Sequence, residues 1–438
     1  EEYHLFYQYN PYGTVWGPMH WGHSKSKDMI KWQQLPVAMA PDSKYDIDGC
    51  FSGSAIEDNN KHILMYTGVV DKKNENGEHY VRQVQCIAIG DGENYFKLDS
   101  NPVITDELLP EGSSFRDPKI WKEDGDFYSV VASRSKDGSG QILMFKSENL
   151  KTWELVTILD KSENKLGRMW ECPDFFNIDG KNVLVISPQE VRATKDGFHN
   201  GNNTAFLIGE YDKENKKFNR EKTKVIDFGL DFYAPQTFED KDGRRIMIGW
   251  MHSWENRIIP NEFKWCGMMT IPREIRIKDN NVIQTPIKEI ENYYGDTVKY
   301  EKITIDKEVS LEGINGRVLD MTLDIDASKA EEFEIKFAKN NEYETIIRYY
   351  SKRNTIEFDR SYSGKYGDIL HKREMKVKDN DGKLRMRLVL DKYSAEIFAN
   401  DGEQVMTSTF YTPLDAQDIT LSSKGKSILS IEKHKIDI

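Results

Sequence analysis

Short apolar runs recur at a regular interval through the first 250 residues of the chain. Each run is rich in β-branched and aromatic residues, and each lies some 55 to 65 residues after the previous one. Repeats of about 50 residues built from short strands are typical of β-propeller blades, which hold about four strands each around a central channel. Five runs predict five blades: residues 3–10, 62–70, 127–133, 182–188 and 244–251.

A polar motif and a turn signal precede four of the five runs. The motifs are FSGSAIEDNN, FRDPKIWKEDG, WECPDFFNIDG and YAPQTFEDKDG. In each case we expect the motif to begin a strand, the Asn-Asn or Asp-Gly pair to form a hairpin turn, and the apolar run to be the second strand. If the first strand of each blade is the innermost, as in propellers generally, the motifs start at the axis and converge on one pocket.

Two acidic residues of these motifs, Asp117 and Glu171, fall at the predicted axis. Taken alone, Glu171 is most simply a surface residue and Asp117 the start of a turn. The shared register of the motifs favours a common pocket instead, and two carboxylates facing one site suit the cleavage of a glycosidic bond. One carboxyl group must be held protonated to donate to the leaving oxygen, while the other stays ionised to stabilise positive charge on the sugar.

The pattern changes after residue 283, which predicts a second domain. We expect an all-β protein with a propeller over residues 1–283, a linker helix over 284–299 and a β-sandwich over 300–438. The helix is predicted with Thr285 as its N-cap, Pro286 at its first position and Gly295 as its stop. Alternating stretches such as FEIKF, LRMRLVL and AEIFAN support the sandwich, whose simplest role is to pack against the propeller.

Composition narrows the choice of partners. The net charge of -12 and the pI near 5.4 argue against nucleic acid or an anionic membrane and favour a small-molecule ligand. The four cysteines form no CxxC pair and fit free thiols better than a disulfide framework or a zinc site, so we expect no metal and no cofactor. No membrane-spanning run or signal-peptide pattern is visible. The expectation of a cytoplasmic location depends on the free thiols, and on the family resemblance described next.

Six stretches in order along the chain resemble glycoside hydrolase family 32, which contains invertases, sucrose-6-phosphate hydrolases and fructan hydrolases. They are YHLFYQYNPYGTVWGPMHWGH, GCFSGSA, FRDPK, WECPDFF, DFYAPQTF and MIGW. The resemblance implies cleavage of terminal β-D-fructofuranosides, as in sucrose or sucrose 6-phosphate, by a retaining double displacement through a fructosyl-enzyme ester. It implies Glu171 as the general acid/base, Asp117 as transition-state stabiliser with Arg116 orienting it, and a fructose subsite lined by Gln8, Trp16, Phe51, Ser52, Tyr233 and Trp250.

The nucleophile is where the chain departs from this family. That residue is the Asp of a WMNDPNG motif shortly before the YHLFYQYNP stretch, and residues 1–438 contain no such motif. The first apolar run also lacks a preceding polar motif, so we expect a truncated N-terminus, an incomplete first blade and turnover reduced on the order of 10⁶-fold. Two alternatives stay open: an exo-acting fructanase on levan or inulin, and a non-catalytic fructan-binding propeller.

Overall fold

The computed structural model describes residues 2–73, 77, 79–109, 113–252, 254–255, 258–364 and 367–438. Within these ranges the chain is nearly all β, and its helices are four short 3₁₀ turns. None of the described helices has the length and apolar character needed to cross a bilayer. Five small sheets form the blades of a β-propeller, and a larger sheet follows them.

Each blade is an antiparallel sheet built from consecutive strands. The first blade contains β1 (Tyr3–Tyr9), β2 (His20–Ser26) and β3 (Gln33–Met39), and the second contains β4 (Gly49–Asp58), β5 (Lys61–Lys73), β6 (His79–Gly90) and β7 (Tyr95–Lys97). The third contains β8 (Ser113–Glu123), β9 (Asp126–Arg134), β10 (Gly140–Ser147) and β11 (Glu154–Lys161). The fourth contains β12 (Met169–Ile178), β13 (Lys181–Gln189), β14 (Ala205–Asp212) and β15 (Lys217–Val225). The fifth contains β16 (Tyr233–Glu239), β17 (Arg245–Met251), β18 (Met268–Met269), β19 (Arg273–Lys278) and β20 (Asn281–Pro286). A 3₁₀ turn, η1 (Asp106–Leu108), precedes β8.

The predicted hairpins are confirmed in the second, third and fourth blades. Asn59 and Asn60 turn β4 into β5, both at positive φ, and Asp-Gly pairs do the same between β8 and β9 and between β12 and β13. Asn, Asp and Gly suit these positions because they tolerate the left-handed conformation that a tight hairpin requires. The apolar runs are the second strands of these blades, where they are largely buried between neighbouring sheets.

The C-terminal sheet has nine strands and is nearly closed, like a β-sandwich. Its strands are β21 (Tyr294–Ile305), β22 (Leu319–Lys339), β23 (Thr345–Tyr350), β24 (Thr355–Asp359), β25 (Lys372–Lys376), β26 (Lys383–Asp391), β27 (Ser394–Ala399), β28 (Gln404–Thr409) and β29 (Asp418–Ile436). Two further 3₁₀ turns are η3 (Ser351–Arg353) and η4 (Asn400–Gly402), and the second of these is the NDG turn that joins β27 to β28.

The predicted helix start and stop in the connecting segment are wrong. Thr285 and Pro286 belong to β20, where they pair with Glu274 and Arg273, and the helix is the 3₁₀ turn η2 (Lys288–Tyr293). Gly295 lies in β21 rather than ending a helix. Pro286 is compatible with β20 because this strand is the outer edge of its blade, where a missing N–H costs no ladder bond.

A buried ionic network joins the propeller to the C-terminal sheet. The guanidinium of Arg273, which is fully buried, donates to Asp227 at 3.0 Å and to Glu396 at 2.7 Å. Asp227 in turn accepts from the backbone N–H of Thr407 on β28 at 2.8 Å. Gly229 is required nearby, because a Cβ there would lie 1.7 Å from the carbonyl oxygen of Thr407.

A second buried pair lies beside this network. Arg360, which follows β24, donates to Asp231 at 2.6 Å, and Asp231 also accepts from the backbone N–H of Thr409 at 2.8 Å. Removing one member of such a pair leaves an uncompensated charge in a low-dielectric interior, which is strongly destabilising.

We expect Arg273→Ala to destabilise the protein by about 3–5 kcal/mol, because Asp227 and Glu396 would stay buried without their cation. The matched control is Arg276→Ala on the same strand, whose side chain is 73% exposed and whose loss should cost about 0–1 kcal/mol. Denaturant midpoints of the two variants test this, and equal midpoints would show that the network contributes no stability.

Candidate active site

The inner strands of four blades share one irregularity. Each carries a register shift against its partner strand, at residues 51–53 in β4, 116–119 in β8, 171–174 in β12 and 233–236 in β16. In the last three, the residue before a proline is left-handed: Asp117 at φ 64°, Cys172 at φ 47° and Ala234 at φ 51°. Such residues are held at a cost of about 1–3 kcal/mol each, and bulges of this kind re-aim side chains.

The bulges place two consecutive residues of each strand on the same cavity. This cavity has a volume of about 2790 Å³, runs along the propeller and is lined by side chains of all five blades. A regular strand would turn consecutive side chains to opposite faces. The paired lining positions are Phe51 with Ser52, Arg116 with Asp117, Glu171 with Cys172, and Tyr233 with Ala234.

Glu171 is held by donors from three neighbouring strands. Its Oε1 accepts from Arg116 Nε at 2.9 Å and Nη2 at 2.8 Å. Its Oε2 accepts from the Tyr233 hydroxyl at 2.7 Å and from Gln189 Nε2 at 2.9 Å. Burial and the adjacent Glu171 charge raise the pKa of Tyr233 well above its ordinary value, so this hydroxyl stays protonated and donates.

Asp117 lies deeper than Glu171 and is almost completely buried. Its Oδ2 accepts from the backbone N–H of Cys172 at 3.0 Å, and the Cys172 thiol lies 3.5 Å from the same oxygen. Its own backbone N–H donates to Thr67 Oγ1 at 2.9 Å, which fixes the bulge. Burial, and next the negative charge of Glu171, raise the pKa of Asp117 from 3.8 to about 6.

A second polar layer lies three residues further along the same strands. Lys119 donates to Asp174 Oδ2 at 3.0 Å and to the carbonyl oxygen of Thr237, so it joins β8, β12 and β16. Asp174, fully buried, also accepts from the backbone N–H of Thr237 at 2.7 Å. This layer holds the three inner strands at a common height beneath Arg116 and Glu171.

An aromatic wall borders the pocket. Trp16 contacts Phe51 edge-on at 5.3 Å between ring centroids and packs against Trp254 at 5.6 Å. Trp254 in turn meets Trp250 at 5.2 Å, and Trp250 stacks on His252 at 4.7 Å. Flat apolar faces of this kind pack well against the C–H faces of sugar rings.

The structure brings all the predicted site residues to this one cavity. Gln8 reaches it from β1 and donates to the carbonyl oxygen of Cys50 at 2.9 Å. The full set that lines the cavity is Gln8, Trp16, Phe51, Ser52, Arg116, Asp117, Glu171, Tyr233 and Trp250.

Some residues of the site were not predicted from sequence. Gln189 ends the apolar run of β13, and Trp254 follows the MIGW stretch, but neither belongs to a repeated motif. Cys172 is buried, and its backbone N–H donates to Asp117. Cys50, Cys86 and Cys172 are buried free thiols, as predicted, and Cys266 is exposed. Among the described residues no group of three His, Cys, Asp or Glu side chains is placed to hold a metal ion.

Two adjacent carboxylates, a partly buried arginine and an aromatic wall at the axis of a propeller are typical of a carbohydrate-cleaving site. Comparison with known proteins agrees. The model of the glycosyl hydrolases family 32 N-terminal domain matches residues 1–286, and that of the family 32 C-terminal domain matches residues 289–437. The chain therefore belongs to glycosyl hydrolase family 32.

Individual relatives cover most of the chain. A sucrose-6-phosphate hydrolase of Zymomonas mobilis is 36% identical over 418 residues, which span 92% of this chain and 80% of that protein. A raffinose invertase of Escherichia coli is 33% identical over 440 residues, 98% of this chain and 88% of that protein. The structure of a mutant GH32 β-fructofuranosidase of Bombyx mori in complex with sucrose matches with a TM-score of 0.85 at 30% identity, covering 100% of this chain and 89% of that one.

The raised pKa of Asp117 predicts a pH-dependent effect of Asp117→Asn. Between about pH 4 and pH 6 the folded protein binds a proton at Asp117 that the unfolded chain has lost, so stability from this group falls as pH rises. Relative to the parent, Asp117→Asn should gain on the order of 2 kcal/mol of unfolding free energy between pH 4 and pH 7, the part of a pKa rise from 3.8 to about 6 that falls in this pH range.

Denaturant unfolding at a series of pH values measures this difference. The matched control is Asp137→Asn, because a hydrogen bond from Lys161 lowers the pKa of Asp137 and the sign of its effect is opposite. Stability provided by Asp137 is present above its unfolded pKa and is lost on acidification, so the control should lose stability relative to the parent as pH rises. A difference for Asp117→Asn that stays flat across pH would contradict the assignment.

Proposed function

We propose that the site of this chain serves the hydrolysis of terminal β-D-fructofuranosides, with sucrose or sucrose 6-phosphate as the substrate, by a retaining double displacement whose nucleophile motif is absent from residues 1–438. The observation that carries the proposal is the placement of Glu171 by Arg116, Tyr233 and Gln189 beside Asp117 in the propeller cavity. Membership of family 32 and the sucrose-cleaving names of its relatives support the same reaction.

Glu171 is assigned as the general acid/base. It protonates the glycosidic oxygen as the bond breaks and later takes a proton from the attacking water. Both of its oxygens already lie within hydrogen-bonding distance of donors, and its side chain is 15% exposed. A carboxyl group at such a cavity wall can reach the substrate while Arg116 and Tyr233 fix its orientation.

Asp117 is assigned as the group that stabilises the transition state. At neutral pH it is mostly ionised, since its pKa is about 6. A buried carboxylate acts on the positive charge of an oxocarbenium-like sugar through a low dielectric, where electrostatic stabilisation is strong. The backbone N–H of Cys172 keeps one of its oxygens in place during the reaction. Gln8, Ser52 and the aromatic wall would bind the sugar hydroxyls and ring faces.

The nucleophile implied by the resemblance has no counterpart motif in residues 1–438. The fructosyl-enzyme ester requires a third carboxylate in line with the leaving oxygen. Hydrolysis is therefore best tested on this chain extended upstream by a strand that carries WMNDPNG, and sugar binding on the chain itself.

In the extended protein we expect sucrose hydrolysis, and we expect Glu171→Gln to lower kcat by about 10²- to 10⁴-fold because the amide cannot transfer a proton. The matched control is Glu163→Gln, a carboxylate in an exposed turn that pairs only with Lys165. Initial rates with sucrose, sucrose 6-phosphate, inulin and levan measure both effects, and the ratios between them identify the substrate.

A folded extended protein that binds sucrose without cleaving it would contradict the proposal and favour the fructan-binding alternative. If Glu171→Gln retained full activity, Glu171 would not be the general acid/base, although the proposed reaction would still stand.

A further inference from the structure

A loop of the fifth blade borders the mouth of the cavity. This rim loop, residues 258–267, lies between β17 and β18 and has no regular secondary structure. Several of its residues line the cavity, and Trp265 is 40% exposed there. Glu171 and Asp117 line the same cavity and are less exposed than Trp265.

The outer side of the rim loop packs on aromatic residues of the C-terminal sheet. Phe263 lies 5.2 Å from Tyr393 and 5.8 Å from Tyr411, measured between ring centroids. Trp265 lies 4.9 Å from Phe263 and 6.2 Å from Tyr393. Tyr393 follows β26 and Tyr411 follows β28, and the two rings stack on each other at 5.5 Å.

The inner end of the rim loop touches the aromatic wall. Gly267 is left-handed at φ 81°, and a Cβ at this position would lie 2.7 Å from the indole nitrogen of Trp250. Trp250 contacts Trp254, and Trp254 contacts Trp16. A shift of the loop would therefore move the side chains of the aromatic wall. Aromatic contacts therefore connect the C-terminal sheet to the site through the rim loop.

The direction of substrate binding follows from the proposed function. An enzyme that removes a terminal fructosyl unit must hold that unit at the closed end of its pocket, next to the carboxylates. The remainder of the substrate, which is the leaving group, then extends toward the mouth and along the rim loop. Trp265 and the wall residue Trp254 are the aromatic surfaces it would meet there.

We propose that Tyr393 and Tyr411 of the C-terminal sheet are positioning residues that hold the rim loop and thereby set recognition of the leaving group. This inference rests on the proposed function. The ligand part concerned is the sugar attached to the fructosyl unit, a glucosyl group in sucrose or a further fructosyl group in a fructan. The C-terminal sheet thus contributes to specificity without touching the reacting atoms.

The ion pairs that dock the two domains do not include Tyr393, whereas Tyr411 lies next to one of them. The domain contact is held separately by Arg273 with Asp227 and Glu396, and by Arg360 with Asp231. Tyr393 is only half-buried at the edge of this contact. Loss of its ring should therefore loosen the rim loop while leaving the C-terminal sheet in place.

The test compares two ligands that share the fructosyl unit and differ in the leaving group. Binding of sucrose and of methyl β-D-fructofuranoside to the full chain is measured by calorimetric titration, for the parent and for Tyr393→Ala. We expect Tyr393→Ala to weaken sucrose binding by about two- to tenfold, the size of one lost aromatic pair. Binding of the methyl fructoside, whose leaving group does not reach the rim, should change by a smaller factor than binding of sucrose.

Two further variants separate positioning from general damage. Tyr393→Phe keeps the ring and should bind both ligands like the parent. Tyr362→Ala removes a tyrosine of the C-terminal sheet that is 65% exposed, and it should change neither ligand. The thiol of Cys266, at the end of the rim loop, gives a readout that needs no ligand, because the other three cysteines are buried. Its rate of reaction with a disulfide reagent should rise in Tyr393→Ala and not in Tyr393→Phe.

The outcomes are distinguishable. If the parent binds sucrose and Tyr393→Ala changes neither the ligand ratio nor the reactivity of Cys266, this inference is overturned and the proposed function stands. If Tyr393→Ala weakens both ligands equally, the residue acts on the whole pocket and the inference is overturned too. If the parent binds neither ligand, both the proposed function and this inference are overturned.

Discussion

The site depends on one backbone constraint, a left-handed residue before proline at the same register in β8, β12 and β16. A residue in this position is disfavoured twice, by its own Cβ and by the following pyrrolidine ring. The propeller holds it with bonds between blades, such as the one from the backbone N–H of Asp117 to Thr67. At each bulge, two adjacent residues of the inner strand line the cavity, among them Arg116 with Asp117 and Glu171 with Cys172. β4 reaches a similar result with Gly53, where a Cβ would lie 1.9 Å from the carbonyl oxygen of Met65.

The electrostatics of the site depend on one cation, Arg116, that lies beside two carboxylates, Glu171 and Asp117. Arg116 forms its ion pair with Glu171, while Asp117 receives only a backbone N–H and a thiol. The carboxylate with the weaker set of donors is also the more deeply buried one, which is why its pKa rises. Tyr233 and Gln189 complete the surroundings of Glu171 from the next inner strand and from β13. The inner strands of adjacent blades therefore share the bulge before proline, but they carry differently charged side chains at it.

Local sequence patterns were enough to predict the blades, because the apolar run, the hairpin pair and the polar motif each span only a few consecutive residues. Asn59 with Asn60 and Asp179 with Gly180 form the turns expected of them. Contacts between residues far apart in sequence form only when the propeller closes, and local patterns do not predict them. Examples are the hydrogen bonds from Gln189 to Glu171 and from Lys119 to Asp174. The helix predicted from Thr285 and Pro286 failed for the same reason: pairing with β19 outweighed a good local capping signal. The only sign of the bulges in the sequence is the proline that follows each left-handed residue. A proline does not indicate in which direction the neighbouring side chain points.

The network around Arg273 also bears on the order in which the protein is made. Asp227 and its partner Thr407 are 180 positions apart, and Asp231 and Thr409 are 178 apart. At a synthesis rate of roughly 5–20 residues per second, the fourth blade leaves the ribosome about 10–40 s before β28, whose backbone N–H groups bond to Asp227 and Asp231. During that interval Asp227 can pair with Arg273 of the propeller, whereas Asp231 waits for Arg360 of the C-terminal sheet. Docking of the C-terminal sheet on the propeller is therefore a late event in the life of the nascent chain, and until then residues 227–231 lie without the strand that covers them.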